Sequence, residues 1–175
     1  LAVAGAAGLV GTIVAGIAAD RFGAALTSIC GLALAGVGTL AFLAVHSLAA
    51  AVVATSLQGA GFGITWVGMF PLLLRAVDDG LREDVLGVNY GATNLGLGIG
   101  SLIAGTVLAL SPDAFGVLFV VDAATYALFA VLLVALGELR GEPREAAVST
   151  GISAYGQVVR DTRLLAATAI SLVLV

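Results

Sequence analysis

The sequence predicts an all-α, polytopic transmembrane helix bundle. Three observations predict it: the apolar composition, the clustering of charges between uncharged runs of bilayer length, and the restriction of every arginine to alternate clusters. The chain's 175 residues are 61% hydrophobic and 10% charged, with a mean hydropathy of +1.16. A soluble domain carries about 25% charged residues. No soluble core could hide this much apolar surface, so lipid is the solvent for most of the chain.

The charges mark out the elements in order. Residues 1–19 are uncharged and apolar, close to the ~20 residues that a bilayer crossing needs. Asp20 to Gly23 interrupt this run, and residues 24–45 form a second span. His46 and Ser47 make a short turn before a third span, 48–74, with Pro71 near its end. Arg75 to Asp84 is a charged stretch, and residues 85–110 are a fourth span. Ser111-Pro112-Asp113-Ala114 is a turn, with proline as the helix breaker. Residues 115–137 form a fifth span, which carries one acid, Asp122. The expected organisation is therefore a bundle over 1–137, a polar cytoplasmic loop over 138–163, and the opening of a further span over 164–175. Within the loop, Ile152, Tyr155, Val158 and Val159 recur at helical spacing beside Arg160 and Arg163. That pattern suits a short amphipathic helix at the membrane interface, and a solvated linker equally well. The chain opens on Leu1 and closes on Leu172-Val173-Leu174-Val175, apolar at both ends. It reads as a piece of a longer protein, and no basic region precedes the first apolar run as in a signal peptide.

Composition also excludes functions. A net charge of −4, with seven arginines and no lysine, gives no basic face for nucleic acid. Cys30 is the one cysteine, so no internal disulfide or cysteine-based metal cluster forms, and the single His46 excludes a multi-histidine site. No metal or cofactor is expected. An intramembrane enzyme would need paired acids, a histidine cluster or a Ser/Lys dyad at depth; only Asp122 is present, so the chain is not read as an enzyme. Arg21, Arg75, Arg82, Arg140, Arg144, Arg160 and Arg163 all fall on one side of this layout. By the positive-inside rule that side is cytoplasmic, and the expected location is the plasma membrane.

Lipid supplies no hydrophobic drive for helix pairing, so small residues must let backbones approach. The second span carries Thr27, Gly31, Ala35 and Thr39 at four-residue spacing, and the third carries Thr55, Gly59 and Gly63. The fourth span is denser still, with Gly96, Gly98, Gly100 and Gly105. Each glycine costs about 1 kcal/mol in a helix interior, so this density implies a flexible or very close contact.

The segment Gly16-Ile17-Ala18-Ala19-Asp20-Arg21-Phe22-Gly23 resembles the GxxxDRxG signature between the second and third helices of major facilitator superfamily transporters. Ala24 and Ala25 stand where the family often has basic residues. The resemblance implies that Gly16, Asp20, Arg21 and Gly23 help lock one conformation by pairing with neighbouring charges. Arg75 and Asp78 or Asp79 are placed to be partners. A second stretch, Gly96, Gly100, Ser101, Ala104 and Gly105, is similar to the glycine-rich motif of the family's proton-coupled antiporters, with Ser101 in place of proline and Ala104 in place of glycine. Gln58-Gly59 is similar to the end of the family's RxxQG, with Thr55 in the arginine's place. On this resemblance the spans are helices two to six of twelve, followed by the start of helix seven, and each half is built from inverted repeats. Phe119 to Tyr126 and Val159 to Leu165 look most like the drug and macrolide-efflux and siderophore-export branch.

Asp122 lies about seven residues from the outer turn, roughly 10 Å deep. Intramembrane acids are functional candidates by default, and the expectation is that Asp122 alternates between protonated and charged forms. A packing acid bonded to Thr125 or to a neighbouring helix is the competing reading. Gln58 and Asn94 are candidates to line a cavity, with Trp66 and Tyr126 to stack on an aromatic compound or receive a cation. The expected activity is proton-coupled efflux of small amphipathic compounds by alternating access, with lipid, substrate and protons as partners. A siderophore or metabolite exporter, or a non-transporting helical scaffold, is the alternative.

Overall fold

The computed structural model describes residues 2–135, apart from 76 and 78. Five α-helices follow one another: α1 (Ala2–Phe22), α2 (Ala24–Ala41), α3 (Leu48–Arg75), α4 (Arg82–Leu110) and α5 (Phe115–Ala135). Single 3-10 turns at Phe42–Ala44, Asp79–Leu81 and Pro112–Ala114 lie in the connections, and no strand occurs among the described residues. All five helical segments are long and apolar enough to cross a membrane. At a rise of 1.5 Å, about 20 residues match a hydrocarbon layer of roughly 30 Å. The loop expected over 138–163, the span opening at Leu164, and Arg140, Arg144, Arg160 and Arg163 lie outside the described residues.

Local chemistry explains where the helices start and stop. Gly23 alone separates α1 from α2, with φ 92° and ψ 154°, a conformation that a side chain rarely tolerates. Its N–H closes α1 on the Ala19 carbonyl, and its own carbonyl accepts both the N–H and the hydroxyl of Thr27. The expected second span, 24–45, ends as α-helix at Ala41, where the backbone tightens into a 3-10 turn. Ser47 caps α3, its Oγ accepting from the Ala50 N–H at 3.1 Å. The fourth helix begins at Arg82, three residues before the expected start. The run Arg82-Glu83-Asp84 looks like loop by charge, yet acids in a first turn complement the helix dipole.

The packing is inverted relative to a soluble protein. Large side chains such as Leu9, Leu48, Leu102 and Leu110 are exposed, while Ala15, Ala25, Ala35 and Ala54 are buried. α3 is the centre, contacting α1 on one side and α2 on the other. A Cβ on Gly59 would meet the Ala4 backbone, and one on Gly63 the Gly8 backbone, so α1 and α3 run parallel at backbone contact. A Cβ on Gly61 would meet Ala35 and Gly31, and one on Gly38 would meet Gln58, so α2 runs antiparallel to α3 at similar range. The small residues Thr27, Gly31, Ala35 and Thr39 all lie buried along α2.

α5 joins this trio through α2. Phe42 stacks on Phe119 with ring centroids 5.3 Å apart, Thr39 meets Asp122, and a Cβ on Gly36 would lie 3.6 Å from that of Tyr126. These three levels fix an antiparallel register. α4 is different: it has no buried residue, and it touches α3 at few positions.

Candidate functional site

The helix ends carrying Arg21, Arg75 and Arg82 lie together at one end of the bundle, because α1 and α3 run parallel and α4 starts where α3 finishes. Gly16, Asp20, Arg21 and Gly23 occupy about the last two turns of α1 and its junction with α2. Gly23 and the neighbouring Ala24 are buried, whereas Asp20, Arg21 and Arg75 are exposed. Asp78 lies outside the described residues, as does the side chain of Asp79. Gly23 thus serves the turn, while Gly16 lies within α1 and the charges of Asp20 and Arg21 are exposed.

A cavity of about 400 Å³ opens among α3, α4 and α5, with Leu32 of α2 in its wall. Small-molecule sites commonly occupy roughly 300–1,000 Å³. α3 contributes Phe62, Thr65, Trp66 and Met69, α4 contributes Asn89 and Thr93, and α5 contributes Thr125, Tyr126 and Phe129. The aromatic wall has internal order. Phe62 meets Trp66 edge-on, with centroids 5.9 Å apart and planes at 71°, and Phe70 follows at 5.7 Å from Trp66. Residues 62, 66 and 70 recur every fourth position, so one face of α3 carries all three rings.

Among the described residues, no charged side chain lines this cavity. Its three threonine hydroxyls are committed to their own helices: Thr65 donates to the Gly61 carbonyl, Thr93 to Asn89, and Thr125 to Asp122. Among the described residues, no hydrogen bond engages the Asn89 carboxamide, the Trp66 indole N–H or the Tyr126 hydroxyl. The chemistry of the cavity is therefore flat apolar walls with a few available polar groups.

Of the four residues expected at a cavity, Trp66 and Tyr126 line it, and Gln58 and Asn94 lie elsewhere. Gln58 packs its backbone against Gly38 on the α2 side of α3. Asn94 is on the exposed face of α4, where its amide donates to the Tyr90 carbonyl at 2.8 Å. Phe62, Met69, Thr93 and Phe129 were not singled out from sequence. Their signal is the four-residue spacing of Phe62 with Trp66, Asn89 with Thr93, and Thr125 with Phe129.

Asp122 sits on the α2–α5 seam, outside the cavity lining but one turn from Tyr126, which belongs to it. Its Oδ2 accepts a hydrogen bond from the Thr39 hydroxyl at 3.4 Å. Thr125 bonds the Asp122 backbone carbonyl rather than its carboxylate. On α4, a Cβ added at Gly96, Gly100 or Gly105 would meet nothing within 4 Å, and Ser101 is exposed while Ala104 is half-buried. The contact this face was expected to make has no counterpart among the described residues. Those residues hold no cluster of three or more metal-ligating side chains.

Five helices long and apolar enough to cross a membrane, with α1, α2 and α3 packed through small residues, are the features of a polytopic membrane protein. The family model of the Major Facilitator Superfamily matches residues 1–175. The chain belongs to the major facilitator superfamily, a family of transporters and not of enzymes. No curated protein and no solved structure gives a significant match.

Proposed function

We propose that the protein is a secondary active exporter of small amphipathic compounds bearing aromatic rings, driven by proton influx through alternating access. The observation that carries this reading is the uncharged cavity walled by Phe62, Trp66, Tyr126 and Phe129. A sugar would require a dense set of hydrogen-bonding groups, and an inorganic ion would require compensating charge; this lining supplies neither. Ring faces bind flat apolar groups, and Asn89 and Tyr126 serve the polar edge of such a compound. This agrees with the drug and macrolide-efflux branch that the sequence resembles.

Asp122 is, in this reading, the acid that exchanges protons, one helical turn from Tyr126 of the cavity wall. In this reading the Asp20, Arg21 and Arg75 end is cytoplasmic in the plasma membrane, and it closes one side of the carrier by pairing across the family's cytoplasmic turn. Gly96, Gly100, Ser101, Ala104 and Gly105 lie on α4, and no other described helix comes within 4 Å of a Cβ placed on these glycines.

The test uses the intact protein in inverted membrane vesicles that hold a proton gradient. Hydrophobic cations, macrolides and siderophores are added in turn while the gradient is followed. Collapse on adding an aromatic or macrolide compound supports the proposal. Collapse with siderophores alone replaces it by the siderophore-exporter reading. Movement of labelled compound with an undisturbed gradient refutes proton coupling.

A further inference from the structure

We propose that Thr39 is a positioning residue for proton exchange at Asp122, holding the ionised carboxylate on the α2–α5 seam through its hydroxyl. This rests on the reading that Asp122 exchanges protons during transport.

The behaviour of the other hydroxyls makes Thr39 stand out. A threonine inside a helix ordinarily donates to the carbonyl three or four residues earlier. Thr27, Thr65, Thr93 and Thr106 all do this, each to the residue four back. Thr39 instead reaches another helix and donates to Asp122 Oδ2, 83 residues away in sequence. Thr39 is 1% exposed, so its side chain is held in the seam by packing.

Asp122 itself is exposed among the described residues, and the part of the seam beside it is apolar. The Phe42–Phe119 stack lies on one side, and Gly36 against Ala123 and Tyr126 on the other. From α2, Thr39 is the polar group that faces the carboxylate; on α5, Tyr126 one turn away is the other titratable side chain. No basic residue faces Asp122 among the described residues. A hydrogen bond to a charged oxygen is stronger than one between neutral groups. Protonated Asp122 has less need of that donor, so the bond is strongest when the site has lost its proton.

Infrared difference spectroscopy on the intact protein in lipid vesicles tests this without any substrate. The carboxylic-acid band of Asp122 is identified by its loss in Asp122→Asn and followed against pH. Thr39→Val keeps the side chain's shape and removes the hydroxyl. It is expected to move the midpoint upward by about one pH unit, a tenfold change in proton affinity. Thr39→Ser keeps the hydroxyl and is expected to leave the midpoint near that of the unaltered protein. Should Thr39→Val fail to fold, Thr39→Ala must produce the shift that Thr39→Ser does not. An unmoved midpoint in the variant lacking the hydroxyl overturns the role of Thr39 and leaves proton exchange at Asp122 standing. Equal shifts in the serine and valine variants overturn it in favour of simple packing. A band that never titrates overturns proton exchange at Asp122, and the role of Thr39 with it.

Discussion

Adding one methyl group at Gly61 separates helix packing from helix propensity. The new Cβ would lie 2.7 Å from the Gly31 carbonyl oxygen and 2.8 Å from Ala35 Cα, and closer still to the Ala35 nitrogen. Carbon atoms in contact sit about 3.5–4.0 Å apart, so α2 and α3 must separate locally by roughly 1 Å. All three neighbours are backbone atoms, and none can rotate away. Overpacking of this kind costs about 1–3 kcal/mol, while replacing a helical glycine with alanine contributes about 1 kcal/mol in the other direction. The expected net loss for Gly61→Ala is about 1 kcal/mol. Gly36→Ala provides the internal control. Its Cβ would lie 3.6 Å from Tyr126 Cβ and 3.8 Å from the Ala123 oxygen, both ordinary contacts. That variant is expected to gain up to about 1 kcal/mol. The assay is the fraction of detergent-solubilised intact protein that stays monodisperse after heating. At roughly 2–4 °C per kcal/mol, the two melting midpoints fall on opposite sides of the unaltered protein, separated by roughly 4–8 °C. Gly61→Ala melting as high as Gly36→Ala would refute the claim that backbone contact sets the α2–α3 distance.

Three further outcomes are expected. Gly23→Ala places a side chain at φ 92°, a strain of about 1–3 kcal/mol, and lowers the melting midpoint in the same assay. Trp66→Ala removes the central ring of the α3 ladder and raises the apparent KM for an aromatic compound about tenfold, with thermal stability as the control measurement. Asp122→Asn keeps the shape of the side chain but carries no exchangeable carboxyl proton; it abolishes gradient-driven accumulation while downhill movement of labelled compound continues.

Much of the fold is legible in the sequence because lipid imposes a simple grammar. Long uncharged runs have to be helices, and a stripe of small residues such as Thr27, Gly31, Ala35 and Thr39 has to face another helix. The start of α4 is less legible, because Arg82, Glu83 and Asp84 are charged whether they cap a helix or lie in a loop. The site is harder again. An aromatic at every fourth position of α3 looks the same whether it faces lipid or a cavity, since both environments are apolar. Gln58 illustrates this: polarity makes it a candidate for a cavity, but its backbone approach to Gly38 is set by how α2 lies across α3. The partner of Asp122 lies beyond sequence reasoning for a similar reason. Thr39 reaches it only through the α2–α5 register, and no local spacing encodes an alignment between helices 83 residues apart.

Contact through backbone atoms has a mechanical consequence for α3. Side chains yield to strain by changing rotamer, but main-chain atoms have no such freedom. With Gly59 and Gly63 against α1, and Gly61 and Gly68 against α2, the central helix is gripped on both flanks by unyielding surfaces. The first three helices must therefore travel as a single lever arm. Any relative movement of the helices is displaced outward, to the softer α2–α5 seam and to the loosely held α4.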